Sequence, residues 1–455
     1  MSQPADSAGA ALDAATSSPS LRAQVLRGSL FEVVGLGAGQ LVRLATNLVT
    51  TRLLFPEAFG LMALVSIVLQ GLELFSDFGL LPSVVQNRRG DDPLFLDAAW
   101  SIQVVRGLVL AAVAAALAAP LASIYHEPAL RMLVPVAALS ALIAGFNSTS
   151  LLSLRRHLAV GRLVALELGG QVATSLVMIA WALLDPSVWA LVAGGIVRAA
   201  LVMLVSHRIG TGHRNRFRFE RAAAGEILHF GKWIFLSSAV HFFSRQTDRL
   251  LLGRFVGMVE LGVYSVAVFL SEAFADAVTR LVHGVLFPAL SSVARRDPDR
   301  LLDAYYHARL RLDAAALPAL GALTTAGPLV VRVLYDPRYH DAGWILQFLA
   351  ARVALYSVLT SCETCLFVLG HTRYGFYRSA ARAAWVAAAV PAGWYLGGLR
   401  GLVWAAALSE VPVLLVLWPA MRRLGLLRLR REALALGFFA LGALAGWLLA
   451  AGSAP

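Results

Sequence analysis

Apolar positions in this chain come in long blocks, without the alternation of a half-buried strand or the single narrow stripe of a surface helix. A helix crossing the ~30 Å hydrocarbon layer needs about 20 mostly apolar residues. Blocks of that length lie near 30–51, 58–80, 97–119, 132–152, 163–184 and 188–206. A polar stretch at 207–231 follows. Six more blocks lie near 233–253, 261–287, 305–328, 342–369, 379–397 and 401–419, and a last one covers 433–451. The pattern predicts an all-α integral membrane protein with twelve to fourteen spans, taken as two sets of six plus a tail helix. Unbroken apolar runs exclude a transmembrane barrel, whose strands alternate. The implied plan is a disordered cytoplasmic tail at 1–29, a six-helix lobe at 30–206, a basic linker at 207–231, a second six-helix lobe at 232–420, and a basic segment with an extra helix at 421–455.

Composition supports a lipid environment. Of 455 residues, 58% are apolar and 15% charged, and mean hydropathy is +0.71. Soluble domains average roughly 45–50% and about 25%. The first twenty residues are polar, with no basic start and no apolar core, so they read as a tail and not as a cleaved signal peptide.

The net charge of +12 would suggest nucleic acid in a soluble protein; here its distribution gives another reading. Lys232 is the only lysine. Arg22, Arg27, Arg88, Arg89, Arg155, Arg156, Arg162, the basic residues from Arg208 to Lys232, Arg295, Arg296, Arg300, Arg373, Arg378, Arg382, Arg422, Arg423, Arg428, Arg430 and Arg431 fall on one side of the predicted membrane. Arg52, Arg131, Arg254, Arg332, Arg338 and Arg400 fall on the other. This makes 24 against 6. The positive-inside rule then places the amino terminus and the middle loop in the cytoplasm of a multi-pass membrane protein, and the basic middle loop reads as a topology determinant with no nucleic-acid partner. All outer loops are short, so the predicted function resides between the helices.

The two halves carry a weak repeat. Arg43, Arg52 and Gly60 stand 202 residues before Arg245, Arg254 and Gly262. An even number of spans per half gives both halves the same orientation, a parallel repeat of the kind seen in transporters that bind substrate between their halves.

Nine arginines remain at membrane depth: Arg43, Arg106, Arg198, Arg245, Arg249, Arg280, Arg309, Arg311 and Arg352. Each costs roughly 2.5–3.5 kcal/mol at a helix centre. Facing lipid, they would together exceed the ~5–15 kcal/mol stability of a typical fold. They must be paired, near helix ends, or lining a wet cavity. Carboxylates accompany them at helical spacing: Gln70, Glu73 and Asp77; Arg245, Asp248 and Arg249; Glu272, Asp276 and Arg280, with His283 beyond; and Arg309 with Asp313. Arginine's planar fork suits phosphate. Arg43, Arg245, Arg249, Arg280 and Arg352 are therefore the candidate pyrophosphate-binding residues. Glu73, Asp77, Asp248, Glu272 and Asp276 are the candidate cavity or coupling carboxylates, for H+ or Na+, with no other cofactor and no resident metal. Closed structural ion pairs are the alternative reading.

Other signals are weaker. Gly35, Gly37 and Gly39 form GxGxG inside a predicted helix, where close packing explains them better than phosphate binding. Cys362 and Cys365 share a helix turn without a second pair and read as buried thiols. Glu363 and Glu410 have no partner at helical spacing.

The string Arg52-Leu-Leu-Phe-Pro-Glu-Ala-Phe-Gly60, then Asp77-Phe-Gly79 and Gln86, resembles the oligosaccharide flippases, the polysaccharide-transporter branch of the multidrug/oligosaccharidyl-lipid/polysaccharide superfamily. Asp248-Arg249 with Leu261-Gly-Val-Tyr-Ser265, and Leu334-Tyr335 with Pro337-Arg-Tyr339, are similar too; Asp336 stands where that family usually has Gly. The resemblance implies two six-helix lobes in a V, and flipping of an undecaprenyl-pyrophosphate-linked oligosaccharide for capsule, exopolysaccharide or O-antigen. It also implies alternating access, cavity charges at Arg43, Arg245 and Arg249, and polymerase and glycosyltransferase partners. Two rival readings are a multidrug exporter of the same superfamily, expected to have a cavity of carboxylates and aromatics, and a membrane polysaccharide polymerase or ligase, expected to have a long outer loop.

Overall fold

A computed structural model describes residues 19–76, 79–87, 89–157, 159–209, 213–218, 220, 225, 242–243 and 246–452. It is helical, with no strand among those residues. In chain order the helices are α1 (Pro19–Leu53), α2 (Pro56–Phe75), α3 (Leu80–Gln86), α4 (Pro93–Tyr125), α5 (Leu130–Gly145), α6 (Ser150–Arg156), α7 (Val160–Leu184) and α8 (Trp189–Arg208). A helical segment at 246–255 precedes α9 (Met258–Leu281), which runs through a π-turn into α10 (Phe287–Arg296). Then come α11 (Leu301–Leu334), α12 (Ala342–Val368), α13 (Arg373–Ala407), α14 (Val411–Arg423) and α15 (Leu429–Gly452).

Among the described residues nine helices are long and apolar enough to cross a membrane, or ten if α5 and α6, bent by 63°, form one broken span. The predicted spans map onto them with three differences. The helix that covers the predicted span 30–51, α1, is not among the nine. The run Arg373–Arg423 is 51 residues long, about 77 Å at 1.5 Å per residue, enough for two crossings. It breaks at Gly397 and at Gly398, whose φ of +56° and ψ of −141° suit glycine alone. The break falls between the predicted spans 379–397 and 401–419. The predicted span 233–253 lies mostly outside the described residues. A correction applies at the start: residues 19–29, read as tail, are the first turns of α1, with Pro19 at the first helical position where its missing N–H costs nothing.

Contacts gather the chain into two units. The first takes Met1–Thr50, Leu72–Ala122 and Pro128–Leu236; the second takes Thr51–Gly71, Ser123–Glu127 and Ser237–Pro455.

Within the first unit, Gly35 and Gly39 of α1 lie against Val164 and Leu168 of α7, the close approach expected of that glycine run, while Gly37 faces open space. The basic linker is described at 207–209, 213–218, 220 and 225. Its described residues run along the start of α4: the Arg216 N–H and the His213 ring meet Asp97 Oδ1 at 2.9 Å, and the Arg218 N–H donates to Ser101 Oγ.

Within the second unit the repeat becomes a pair of reciprocal contacts. A Cβ on Gly60 would collide with the carbonyl of Met258, the first residue of α9. One on Gly262 would collide with the carbonyl of Pro56, the first residue of α2. Both relations carry the shift of 202 found in the sequence. The predicted tail helix is also a packed element. Gly321 of α11 meets Phe439 and Ala443 of α15, and Gly442 and Gly446 of α15 meet Pro318 and Ala322 of α11. Small residues are the means by which membrane helices approach closely.

Candidate functional site: arginine-lined cavities and buried ion pairs

In the first unit a cavity of about 290 Å³ opens between α1, α6, α7 and α8. Arg43, Arg155 and Arg198 line it, with Glu167 and Gln171. Gln40, one turn before Arg43, accepts a hydrogen bond from its Nε at 3.1 Å and orients its fork. Arg198 lays its stem against Gly170, which leaves room for it. Arg155 lies 3.6 Å from Glu167, both half exposed. Arg155 also lines a second cavity of about 340 Å³ with Glu73, Gln103 and Arg106. The Arg106 guanidinium donates to Ser76 Oγ at 2.8 Å and to the Glu73 carbonyl at 2.7 Å. Four guanidinium groups therefore face two carboxylates.

The other predicted site residues lie elsewhere. Arg245 and Asp77 lie outside the described residues. In the second unit Arg249 forms a 3.0 Å ion pair with Glu272. Asp248 is buried and accepts the Tyr264 hydroxyl at 2.7 Å. Arg352 is half-buried on α12, while Asp276, Arg280 and His283 are exposed. The structure thus brings Arg43 into a cavity with Arg155 and Arg198, and Arg249 into a pair; Arg280 is in neither.

Two charge clusters follow the alternative reading. Arg309 is 1% exposed. Its fork grips Glu432 of α15 with two 2.6 Å bonds, and its Nε donates to Asp313 at 3.1 Å, the i,i+4 partnership expected from the sequence. Arg378 and Arg382, assigned above to a cytoplasmic loop, are instead buried in the first turns of α13. They pair with the carboxylates whose partners sequence could not supply: Arg378 with Glu363 and Arg382 with Glu410, the latter at 2.9 Å. Neutralisation at a helix end lets them be buried where a loop would have left them wet. Cys362 and Cys365 are free and buried, as expected.

Sequence reasoning had placed Arg155 in a loop and passed over Glu167. Their signal was present: α6 ends at Arg155-Arg156, and Glu167 sits two turns into the apolar run that follows.

The family model described as polysaccharide biosynthesis protein matches residues 49–343. The chain belongs to this family. Among curated members, the succinoglycan biosynthesis transport protein ExoT of Rhizobium meliloti (strain 1021) is 24% identical over 390 residues, 84% of this chain and 77% of that protein. The amylovoran biosynthesis protein AmsL of Erwinia amylovora is 25% identical over 257 residues, 54% of this chain and 63% of its own length. Among solved structures, the lipid II flippase MurJ in an inward closed conformation aligns with a TM-score of 0.70 over 94% of this chain and 93% of its own, at 10% identity. An inward-facing multidrug resistance transporter of the MOP superfamily aligns with a TM-score of 0.63 at 14% identity, over 85% and 95%. The fold is that of the MOP superfamily structures, and this family member is a multi-pass membrane protein.

Proposed function

We propose that this protein flips a lipid-linked oligosaccharide across the bacterial inner membrane by alternating access, with its amino terminus in the cytoplasm, for the synthesis of an exported polysaccharide. The observation that carries this reading is the arginine excess of the first-unit cavities: Arg43, Arg106, Arg155 and Arg198 against Glu73 and Glu167. A pyrophosphate headgroup is polyanionic and offers oxygens in the geometry that guanidinium forks grip two at a time. The prenyl tail would stay in lipid, so the cavities need to hold only the polar end. The cation-exporter reading calls for carboxylates and aromatics, and the lining of both cavities is of the opposite charge.

The test is a proteoliposome flipping assay with a defined prenyl-pyrophosphate glycan. Each lost charge-assisted hydrogen bond is worth about 1.5–3 kcal/mol, so Arg43→Gln and Arg198→Gln should each weaken headgroup binding roughly ten- to a hundredfold. Folded protein should be recovered at wild-type yield. Full flipping by the double variant would overturn the assignment.

A further inference from the structure

The cluster around Arg309 holds one guanidinium and two carboxylates in a dry seam between α11 and α15. Side-chain exposures are 2% for Arg309, 5% for Asp313 and 6% for Glu432. Glu432 is fully engaged: both oxygens accept from Arg309, and Tyr306 adds a hydrogen bond at 3.2 Å. Asp313 is not. Its Oδ2 accepts from Arg309 Nε, but its Oδ1, also buried, has no hydrogen-bond partner among the described residues. A single positive charge cannot neutralise two buried negative ones, and a buried uncompensated carboxylate takes up a proton.

We propose that Asp313 is a proton-binding site and that exchange of this proton is the ion-coupling step of transport. The inference rests on the flippase reading for its coupling role, and on the geometry alone for the proton. One proton on Asp313 makes the trio neutral. Its loss leaves a net negative charge between α11 and α15 and weakens the seam that joins them. The groups facing the site are Tyr305 and Tyr306 on α11, Cys362 and Cys365 on α12, and Glu432 on α15; Arg309 supplies the one positive charge in contact with both carboxylates. A sodium ion would need further oxygens around Oδ1, which has no hydrogen-bonding group beside it among the described residues. Glu432 also lines a largely apolar cavity of about 330 Å³ with Leu317, Trp418 and Phe439.

The experiment pairs infrared difference spectroscopy with flipping. Purified wild-type protein at mildly acidic pH should show the carbonyl-stretch band of a protonated carboxyl that disappears in alkali. Asp313→Asn should lack it, and Asp313→Glu, which keeps an ionisable group and guards against a folding artefact, should restore a shifted one. In proteoliposomes with an imposed pH gradient, wild-type flipping should rise with the gradient, whereas Asp313→Asn should lose that dependence. Absence of an Asp313-dependent band overturns the proton site. A band that is present while Asp313→Asn keeps full gradient dependence overturns the coupling role. If wild type shows the band but flips no substrate, the flippase reading fails and the proton site stands.

Discussion

The reciprocal contact of Gly60 and Gly262 makes a sharp test of the packing, because two influences on the same substitution have opposite signs. Gly60→Ala and Gly262→Ala both sit in the fifth position of a helix, where alanine is intrinsically better than glycine by about 0.8–1 kcal/mol. Packing opposes this. The new Cβ would lie 2.7 Å from the Met258 carbonyl carbon in one case and 2.6 Å from that of Pro56 in the other, and nearer still to the oxygens. The oxygens are the limiting contacts: bringing them to an ordinary carbon–oxygen separation of about 3.3 Å requires α2 and α9 to part by roughly 1.4–1.5 Å. The obstacle is backbone, so no side chain can rotate away. Overpacking of this kind costs about 1–3 kcal/mol, at the upper end here, for a net loss of about 1–2 kcal/mol in each variant. One parting of the helices serves both sites, so the double variant should cost less than the sum by at least ~0.5 kcal/mol. Gly37→Ala is the control: nothing lies within 4 Å of its added Cβ, so it should stabilise. Thermal unfolding in detergent micelles reads all four. Wild-type or higher melting temperatures for Gly60→Ala and Gly262→Ala, or strict additivity in the pair, would refute the shared contact.

Three further outcomes follow from the structure. Glu410→Gln removes the buried counter-charge paired with Arg382 and should cost about 3–5 kcal/mol, while Glu410→Gln with Arg382→Met should recover most of it, as read by folded yield on size-exclusion chromatography. Gly398→Ala forces a side chain into a glycine-only conformation and should cost about 1–3 kcal/mol in the same melting assay, more than Gly397→Ala. Where the linker meets the turn before α4, the Arg89 guanidinium holds the Asp92 carboxyl below the usual carboxylate range while also gripping Glu220. A depressed carboxylate stabilises above its unfolded pKa and stops doing so as pH falls through the folded value. Acidification into and below that range should therefore expose the bonds after Arg214, Arg216 and Arg218 to limited proteolysis, and Asp92→Asn should blunt the pH dependence.

Much of the fold was legible because lipid leaves few options: a helix must hold its own backbone hydrogen bonds, so apolar length nearly equals span. The break at Gly397–Gly398 and the match of Gly60 to Gly262 could be read for the same reason, since backbone geometry restricts which residue fits. Side-chain partnerships were legible only at helical spacing. Arg309 and Asp313 are four apart and were paired correctly. Glu432 is 123 residues from Arg309 and Glu410 is 28 from Arg382, distances at which sequence carries no geometric signal. Arg378 and Arg382 were misplaced because basic residues beside an apolar run look like a loop until their counter-charges are known. Arg155 was misplaced for the complementary reason, since an end-of-helix arginine near the interface can also reach back over the previous turn into a cavity.

The ion pair across α11 and α15 sets an order of events during biogenesis. A ribosome adding ~5–20 residues per second needs about 6–25 seconds to make the 123 residues that separate Arg309 from Glu432. Throughout that interval the nascent α11 carries its guanidinium with only Asp313 to neutralise it, and it has no glycine-faced neighbour to receive Gly321. The second unit therefore cannot close as its helices emerge, and must stay loosely assembled until α15 arrives to seal it.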